Sequence, residues 1–289
     1  MRSHYVVASA IMLLFAFAGP AVLPASEGPD SLWAGAISLF EANDDWVPGS
    51  VYMHMQEVDK HGEPKEDKVQ EVWTRLYLGE DGEVEAELVK ALDNGKDITE
   101  EEKARSEEAE AEEAEARESG NAEGDDDSHD DNGFAITGYV PFDPEHQDGM
   151  TVVATGDVEV VGGRNCTVFD FEDDRKGDDE DDDDDMVFVG KVWLDAESGA
   201  PLKLEYTTDP LPKRVKKMIT TVLYDFTAPD TWRAASMSVQ ATGGFLFIKK
   251  HFHMNMTFGD YWRMPEEGVA AGDDETGTGD DAEAVPAGE

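Results

Sequence analysis

Three histidines are candidate metal ligands. His251 and His253 lie two positions apart in an alternating segment, so their side chains fall on one strand face, and His54 can lie on a similar face. This is a spacing that metal ligands use. A polar, solvent-facing surface that includes Lys249 and Asn255 accounts for the same pattern. We favour the second interpretation and predict no metal site.

Catalytic motifs are absent from the sequence. Ser128-His129-Asp130 has the residue types of a catalytic triad, but it lies in an acidic linker, residues 120–132, that offers no rigid scaffold. The aspartate-rich run at 178–185 lacks the fixed glycine and spacing of a calcium loop, so we read it as a solvated loop. No nucleophile elbow, phosphate-binding glycine loop or metalloprotease motif occurs. We therefore expect no enzyme activity and no cofactor.

Methionine-rich strand faces give the sharper prediction. Thioether side chains are flexible and adapt to irregular apolar shapes, so methionines on neighbouring strands can line a cavity for acyl chains. The same residues would also make an ordinary core beneath helices, and the sequence does not separate the two. The candidate cavity residues are Met53, Met55, Trp73, Trp193, Leu204, Tyr206, Phe252, Met254, Met256 and Phe258.

A basic cluster follows Pro210 in an otherwise acidic chain. It consists of Lys213, Arg214, Lys216 and Lys217. One interpretation is a docking point for a membrane or an acidic partner, and the other is simple compensation of local acidity. Both remain open.

Composition limits the class of protein. The 289 residues carry a formal net charge of −44, from 67 acidic and 23 basic residues. Such a surface repels nucleic acid, so nucleic-acid partners are excluded, and it favours solubility or a salty medium. Cys166 is the single cysteine and has no internal disulfide partner. Residues 1–25 show the order of a secretory signal peptide, with cleavage after Ala21 or Ala25.

The segment from Gly190 to Tyr206 predicts a β-hairpin. Val192 and Leu194 alternate with polar or aromatic neighbours on the first strand, and Leu202, Leu204 and Tyr206 do so on the second. A glycine at position 199 closes the turn, and a proline at position 201 suits the first residue of the returning strand.

The rest of the chain predicts a meander of about ten strands with few helices. Gly162-Gly163 and Gly243-Gly244 are the clearest hairpin turns. We expect an α+β fold, a curved antiparallel half-barrel with a helical lid and an acidic helical or disordered insertion. Three helices are predicted: residues 31–40, which Asp30 or Ser31 caps; residues 84–92, which end before Gly95; and residues 99–117. The predicted strands are 51–58, 69–78, 134–136, 151–161, 164–172, 190–195, 201–206, 218–226, 232–241 and 245–258.

The hairpin and its surroundings resemble the LolA/LolB outer-membrane lipoprotein-sorting family, and RseB-like sensor domains are similar in build. The segments Trp193-Leu194-Asp195 and Ser198-Gly199-Ala200-Pro201-Leu202 carry most of the resemblance. The resemblance implies a half-barrel with an apolar cavity for acyl chains. It also implies an internal arginine, at Arg75, that helps to hold a helical lid. The acidic insertion departs from the compact carrier.

These observations lead to a functional expectation. Residues 27–262 form one half-barrel domain with an acidic insertion at 99–132, and residues 265–289 form an acidic tail. We expect an exported, monomeric protein of the periplasm or cell envelope that binds a lipid or lipoprotein acyl chain. The alternative is an envelope sensor or protein-interaction module that uses the same concave face to engage an envelope protein.

Overall fold

The computed structural model of the chain describes residues 28–79, 82–118, 139–174, 187–212, 214–227, 231–245 and 248–265. The predicted signal peptide, the acidic linker with its short strand at 134–136, the run at 178–185, Lys213 and the tail beyond residue 265 lie outside these ranges.

Strands dominate the described part of the chain. Helix α1 spans Pro29–Glu41, helix α2 spans Thr99–Glu118, and a 3₁₀ helix covers Pro144–Gly149. The strands are β1 Trp46–Val47, β2 Ser50–Val58, β3 Pro64–Leu78, β4 Val84–Asp93, β5 Lys96–Asp97, β6 Met150–Val161, β7 Arg164–Asp174, β8 Val187–Asp195, β9 Pro201–Asp209, β10 Val215–Phe226, β11 Trp232–Phe245, β12 Ile248–Gly259 and β13 Trp262–Arg263.

Eleven of these strands form one antiparallel sheet. Its order is β5-β4-β3-β2-β12-β11-β10-β9-β8-β7-β6, and β1 pairs with β13 beside it. Two meanders, β2 to β5 and β6 to β12, are joined where β2 pairs with β12. Within the described residues the sheet does not close, so β5 and β6 are its edges. The predicted curved half-barrel, a meander with few helices, is confirmed.

One face of the sheet, the inner face, carries the main core. Directly opposed residues form a buried or half-buried row across it because their strands are in register. The row runs through Val72, Met53, Met256, Met237, Val222, Leu204, Val192 and Phe169.

Helix α1 covers part of this face. Trp33 packs its ring 5.2 Å from that of Phe142 and 5.9 Å from that of Phe169. The helix begins at Pro29, after Gly28, and the proline ring fixes the backbone angle φ at a helical value. No side chain caps this end, so the expected cap at Asp30 or Ser31 is wrong. The predicted position of this helix is confirmed.

The predicted helix at 84–92 is wrong, because this segment is strand β4. Val84, Leu88 and Leu92 recur every four residues in the sequence. This spacing is twice the strand period of two residues and close to the helix period of about 3.6, so it fits either element. The register with β3 resolves the ambiguity in favour of a strand. Gly95 does not stop a helix; with Asn94 it makes the tight turn into β5, and both residues have positive φ.

The central hairpin is confirmed as β8 and β9, with Gly199 at φ 75° in the turn. One detail differs from the alternation. A register shift between Trp193 and Leu194 inserts an extra residue on β9. Leu202 therefore leaves the face of Leu204 and joins Trp193 in a second, smaller cluster on the opposite, outer face.

The last turn is displaced from its predicted position. Gly243 and Gly244 lie inside β11, opposite Lys250 and Lys249, and the hairpin is closed beyond Phe245, which pairs with Ile248. Gly243 is needed there for another reason, since a Cβ atom at this position would lie 3.0 Å from the carbonyl oxygen of Arg214.

Asp195 organises the turn of the central hairpin. Its carboxylate is buried, and Oδ2 accepts hydrogen bonds from Arg164 Nη1 at 2.8 Å and Ser198 Oγ at 2.7 Å. Replacing Asp195 with alanine should lower the free energy of unfolding by about 2 kcal/mol, because these bonds are lost while Arg164 stays hydrated. Urea denaturation measures this, with Glu197→Ala, an exposed neighbour in the same turn, as the control. Equal losses in the two variants would contradict the assigned role.

Candidate functional site

The inner face changes from packed to half-open along β2 and β12. Val51, Met256 and Phe258 are buried in the core, whereas Met53, Met55, Phe252 and Met254 remain partly exposed. We call these last four residues the methionine surface. They are held together by strand register, since Met55 lies opposite Met254 and Met53 opposite Met256. The surface is apolar, continuous with the core, and reachable from solvent.

The position of helix α1 explains why this surface is open. Leu32 of α1 sits over the turn of the central hairpin, with its carbonyl oxygen 3.2 Å from where a Cβ of Gly199 would be. That turn lies at the opposite end of the sheet from the start of β12, because neighbouring strands run antiparallel. Helix α1 therefore covers the part of the core near this turn, and the methionine surface lies towards the other end of the sheet.

A recess of about 280 Å³ adjoins the methionine surface at this end. This volume is just below the range of about 300–1,000 Å³ that is typical of small-molecule sites. Its wall combines apolar, polar and charged side chains, namely Met55, Glu57, Lys68, Gln70, Asp93, Asn94, Lys250 and Phe252.

Glu57 is the buried charge of the recess, with 8% of the residue exposed. Its Oε1 accepts a hydrogen bond from Lys65, and its Oε2 lies 4.0 Å from Lys250 Nζ. The hydrogen bond from Lys65, with the nearby positive charges of Lys65, Lys250 and Lys68, holds the pKa of Glu57 below its usual range. The carboxylate is thus an ionised anchor for two lysines.

Several of the predicted cavity residues lie together on the inner face, but they differ in exposure. Leu204, Tyr206 and Met256 are buried in the core. The Tyr206 hydroxyl accepts a hydrogen bond from the backbone N–H of Tyr139 at 3.2 Å, and burial is the main reason that its pKa is raised. The four residues of the methionine surface are the ones that a ligand could reach.

Two tryptophans are placed on the outer face, so their assignment to the cavity is corrected. The Trp73 ring packs 4.9 Å from that of Tyr52, with Lys90 above it. Trp193 donates its indole N–H to Glu159 at 2.9 Å and carries Lys203 over its ring. Strand alternation is the reason, since their neighbours Val72 and Val192 face inward.

The expectation of an internal arginine is also wrong. Arg75 lies on β3 with 63% of its side chain exposed, and it forms an ion pair with Glu87 of β4. It adjoins Leu76, which is buried in the core, so alternation turns Arg75 outward.

The basic cluster is only partly a loop. Lys216 and Lys217 are exposed residues at the start of β10, and Arg214 precedes them at φ 74°. Register places this end of β10 near Lys250, because Gly243 pairs with both Val215 and Lys250. Docking by Arg214, Lys216 and Lys217 stays a prediction.

The histidines do not assemble a metal centre in the described ranges, where no group of three potential ligands occurs. His251 Nδ1 lies 2.8 Å from the hydroxyl oxygen of Thr242, and His54 lies opposite Asn255. They belong to the outer face.

The charged wall of the recess was missed by the sequence reasoning. One signal was visible, since Lys250 interrupts the apolar alternation of the last strand. Glu57 and Lys68 gave no comparable signal, because their proximity depends on the pairing of β2 with β3 and β12.

Comparisons with known proteins give likenesses of fold only. No family model matches the chain, and no curated protein matches it. The chain is similar to the structure of a DUF1329 family protein from Desulfovibrio piger, with 10% identity and a TM-score of 0.32, covering 83% of this chain and 94% of that one. It is also similar to MucB in complex with MucA(peri), at 11% identity and a TM-score of 0.21 over 78% and 92% of the two chains.

A third similarity is to the MucA/MucB complex of Pseudomonas aeruginosa, at 10% identity and a TM-score of 0.21, covering 81% of this chain and 99% of that one. Likenesses at these TM-scores carry no argument about function. Among the described residues, no helix has the length and apolar character needed to cross a membrane.

Proposed function

We propose that this chain is an exported protein of the cell envelope that binds an acyl chain of a lipid or lipoprotein on the methionine surface. The observation that carries the proposal is the partial exposure of Met53, Met55, Phe252 and Met254 beside a closed core. The signal-peptide pattern of residues 1–25 supports export. The proposal is one of binding without covalent chemistry.

The physical basis is apolar burial on an adaptable surface. Each buried methylene contributes about 0.8 kcal/mol, so even a partly covered acyl chain gains several kcal/mol. Unbranched thioether side chains follow the shape of a flexible ligand better than branched residues do. The recess beside Met55 and Phe252 gives the ligand a place to enter or end.

Replacing Met254 with aspartate should weaken acyl-chain binding at least about tenfold, because the ligand would have to desolvate a carboxylate. The probe is monomyristoylglycerol, an uncharged amphiphile, and the measurements are native mass spectrometry and calorimetric titration of the mature chain. Asn255→Asp is the matched control, since it adds the same charge one residue along β12 on the outer face.

The proposal stands if Asn255→Asp binds like the wild type while Met254→Asp does not. Equal binding by all three proteins would overturn it, and so would a folded wild type that binds neither this probe nor an anionic amphiphile of the same chain length. The second result would favour the alternative of an envelope sensor or interaction module that engages a protein partner.

A further inference from the structure

Lysines gather at the recess beside the methionine surface in a strongly acidic protein. Lys65 and Lys68 come from β3 and Lys250 comes from β12, and all three act on Glu57. The lining of the recess holds two lysines, Lys68 and Lys250, and two acids, Glu57 and Asp93, and Lys65 pairs with Glu57 from outside this lining. The whole chain, in contrast, carries a formal net charge of −44. Because Lys65 pairs with Glu57, Lys68 and Lys250 face Asp93 alone, and the recess does not share the acidic excess of the chain as a whole.

We propose that the recess binds the anionic head group of a single-chain amphiphile whose acyl chain lies on the methionine surface. This inference rests on the proposed function and specifies the class of ligand. The chemistry recognised is a carboxylate or phosphate at the end of an acyl chain.

The lysines can serve a ligand as well as Glu57. Lys250 Nζ is 4.0 Å from the Glu57 carboxylate, beyond hydrogen-bond range, and 53% of its side chain is exposed. A lysine ammonium has three donors, so it can turn towards a second anion. Glu57 keeps Lys65 and Lys250 near one another and so reduces the repulsion between their charges.

The apolar and charged parts of the site are continuous. Met55 and Phe252 belong to the methionine surface and also line the recess with Lys68 and Lys250. Phe252 lies directly opposite Glu57 on the neighbouring strand, and Lys250 Nζ lies 5.9 Å from the ring centre of Phe252. An amphiphile whose chain contacts the methionines would thus place its head among the lysines.

Three probes with the same chain test this proposal on the mature protein. They are myristic acid, myristoyl lysophosphatidic acid and uncharged monomyristoylglycerol. The wild type should bind at least one anionic probe about tenfold more tightly than the uncharged probe, and this preference should shrink between about 50 and about 500 mM NaCl. Preference for both anions, or for one of them, identifies the source of the head group.

The variant is Lys68→Gln with Lys250→Gln, and Lys191→Gln on the outer face, paired with Asp170, is the control. The double variant should lose the anionic preference and bind the uncharged probe as before, and the control should behave like the wild type. Equal wild-type affinity for all three probes, or an undiminished preference in the double variant, would overturn the head-group site while leaving the proposed function standing. Failure of every probe to bind would overturn both.

Discussion

Replacing Gly190 with valine is expected to destabilise the fold more than any other single substitution proposed for this chain. Gly190 lies in the middle of β8, where a Cβ atom would be 2.1 Å from the carbonyl oxygen of Glu205 and 2.8 Å from Cα of Tyr206. It would also be 2.9 Å from Cε1 of Phe171. Two of these three atoms belong to the backbone of β9, so the clash cannot be relieved by a side-chain rotation.

The position explains the size of the effect. Gly190 pairs with Phe171 on one side and with Tyr206 on the other, and both of these residues are buried in the core. Relieving the clash requires β8 to separate from β9, which breaks the central hairpin. We expect a loss of more than about 4 kcal/mol, a large part of the stability of an ordinary domain.

Circular dichroism and thermal unfolding of the purified variant measure this loss. Gly35→Ala is the matched control, because a Cβ atom at that position has nothing within 4 Å and lies in helix α1. Helix propensity predicts that the control is stabilised by up to about 1 kcal/mol. A Gly190→Val protein that unfolds at the wild-type temperature would show that β8 and β9 are not packed as described.

Gly190 also shows how far the sequence could predict the fold. Alternation and turn residues located the central hairpin and the hairpin at Gly162-Gly163, because both signals are local. The need for glycine at position 190 is not local. It arises from the approach of Phe171 and the backbone of β9, which only the assembled sheet defines.

The errors have physical causes of the same kind. The segment Val84–Asp93 satisfies a helical spacing and a strand spacing together, and pairing with β3 decides between them. Leu202 lies on the outer face because of a β-bulge, and no residue of the hairpin sequence predicts that bulge. Alternation is a relative pattern, so it could group Trp73 with Arg75 but could not decide that their face is the outer one.

The candidate site was predictable in its apolar half. Methionines on β2 and β12 were recognisable because each strand alternates, and their pairing brings Met55 opposite Met254. The charged half depends on the pairing of β12 with β2, which brings Lys250 to Glu57 and Lys68 of the hairpin that β2 and β3 form. Long-range pairing is the information that a single sequence does not display.

Trp33→Ala is expected to have the second-largest effect, a loss of about 3–5 kcal/mol in the free energy of unfolding. Trp33 is 8% exposed and fills the space between α1, Phe142 and Phe169. Its indole N–H also donates to Gln147 Oε1 at 3.0 Å, and Gln147 in turn donates to the carbonyl oxygens of Pro141 and Asp143. The substitution therefore leaves a cavity and weakens the segment that covers the sheet beside α1.

Two further variants separate these contributions in urea denaturation. Trp33→Phe keeps most of the ring packing and should lose only about 1 kcal/mol through the missing hydrogen bond. Ser38→Ala, on the exposed side of α1, should change stability by less than about 0.5 kcal/mol. If Trp33→Ala were no more destabilised than Ser38→Ala, α1 would not be anchored to the sheet through this residue.

Trp33→Ala also distinguishes the part of the inner face that stabilises the fold from the part that we propose binds the ligand. Trp33 packs near β7, whereas the methionine surface lies on β2 and β12, on the far side of β8 to β11 in the sheet order. Where Trp33→Ala is still folded, its affinity for monomyristoylglycerol should match that of the wild type, because no residue of the methionine surface has changed. A parallel loss of stability and affinity would mean that the ligand binds beneath α1, in the region that the indole ring occupies.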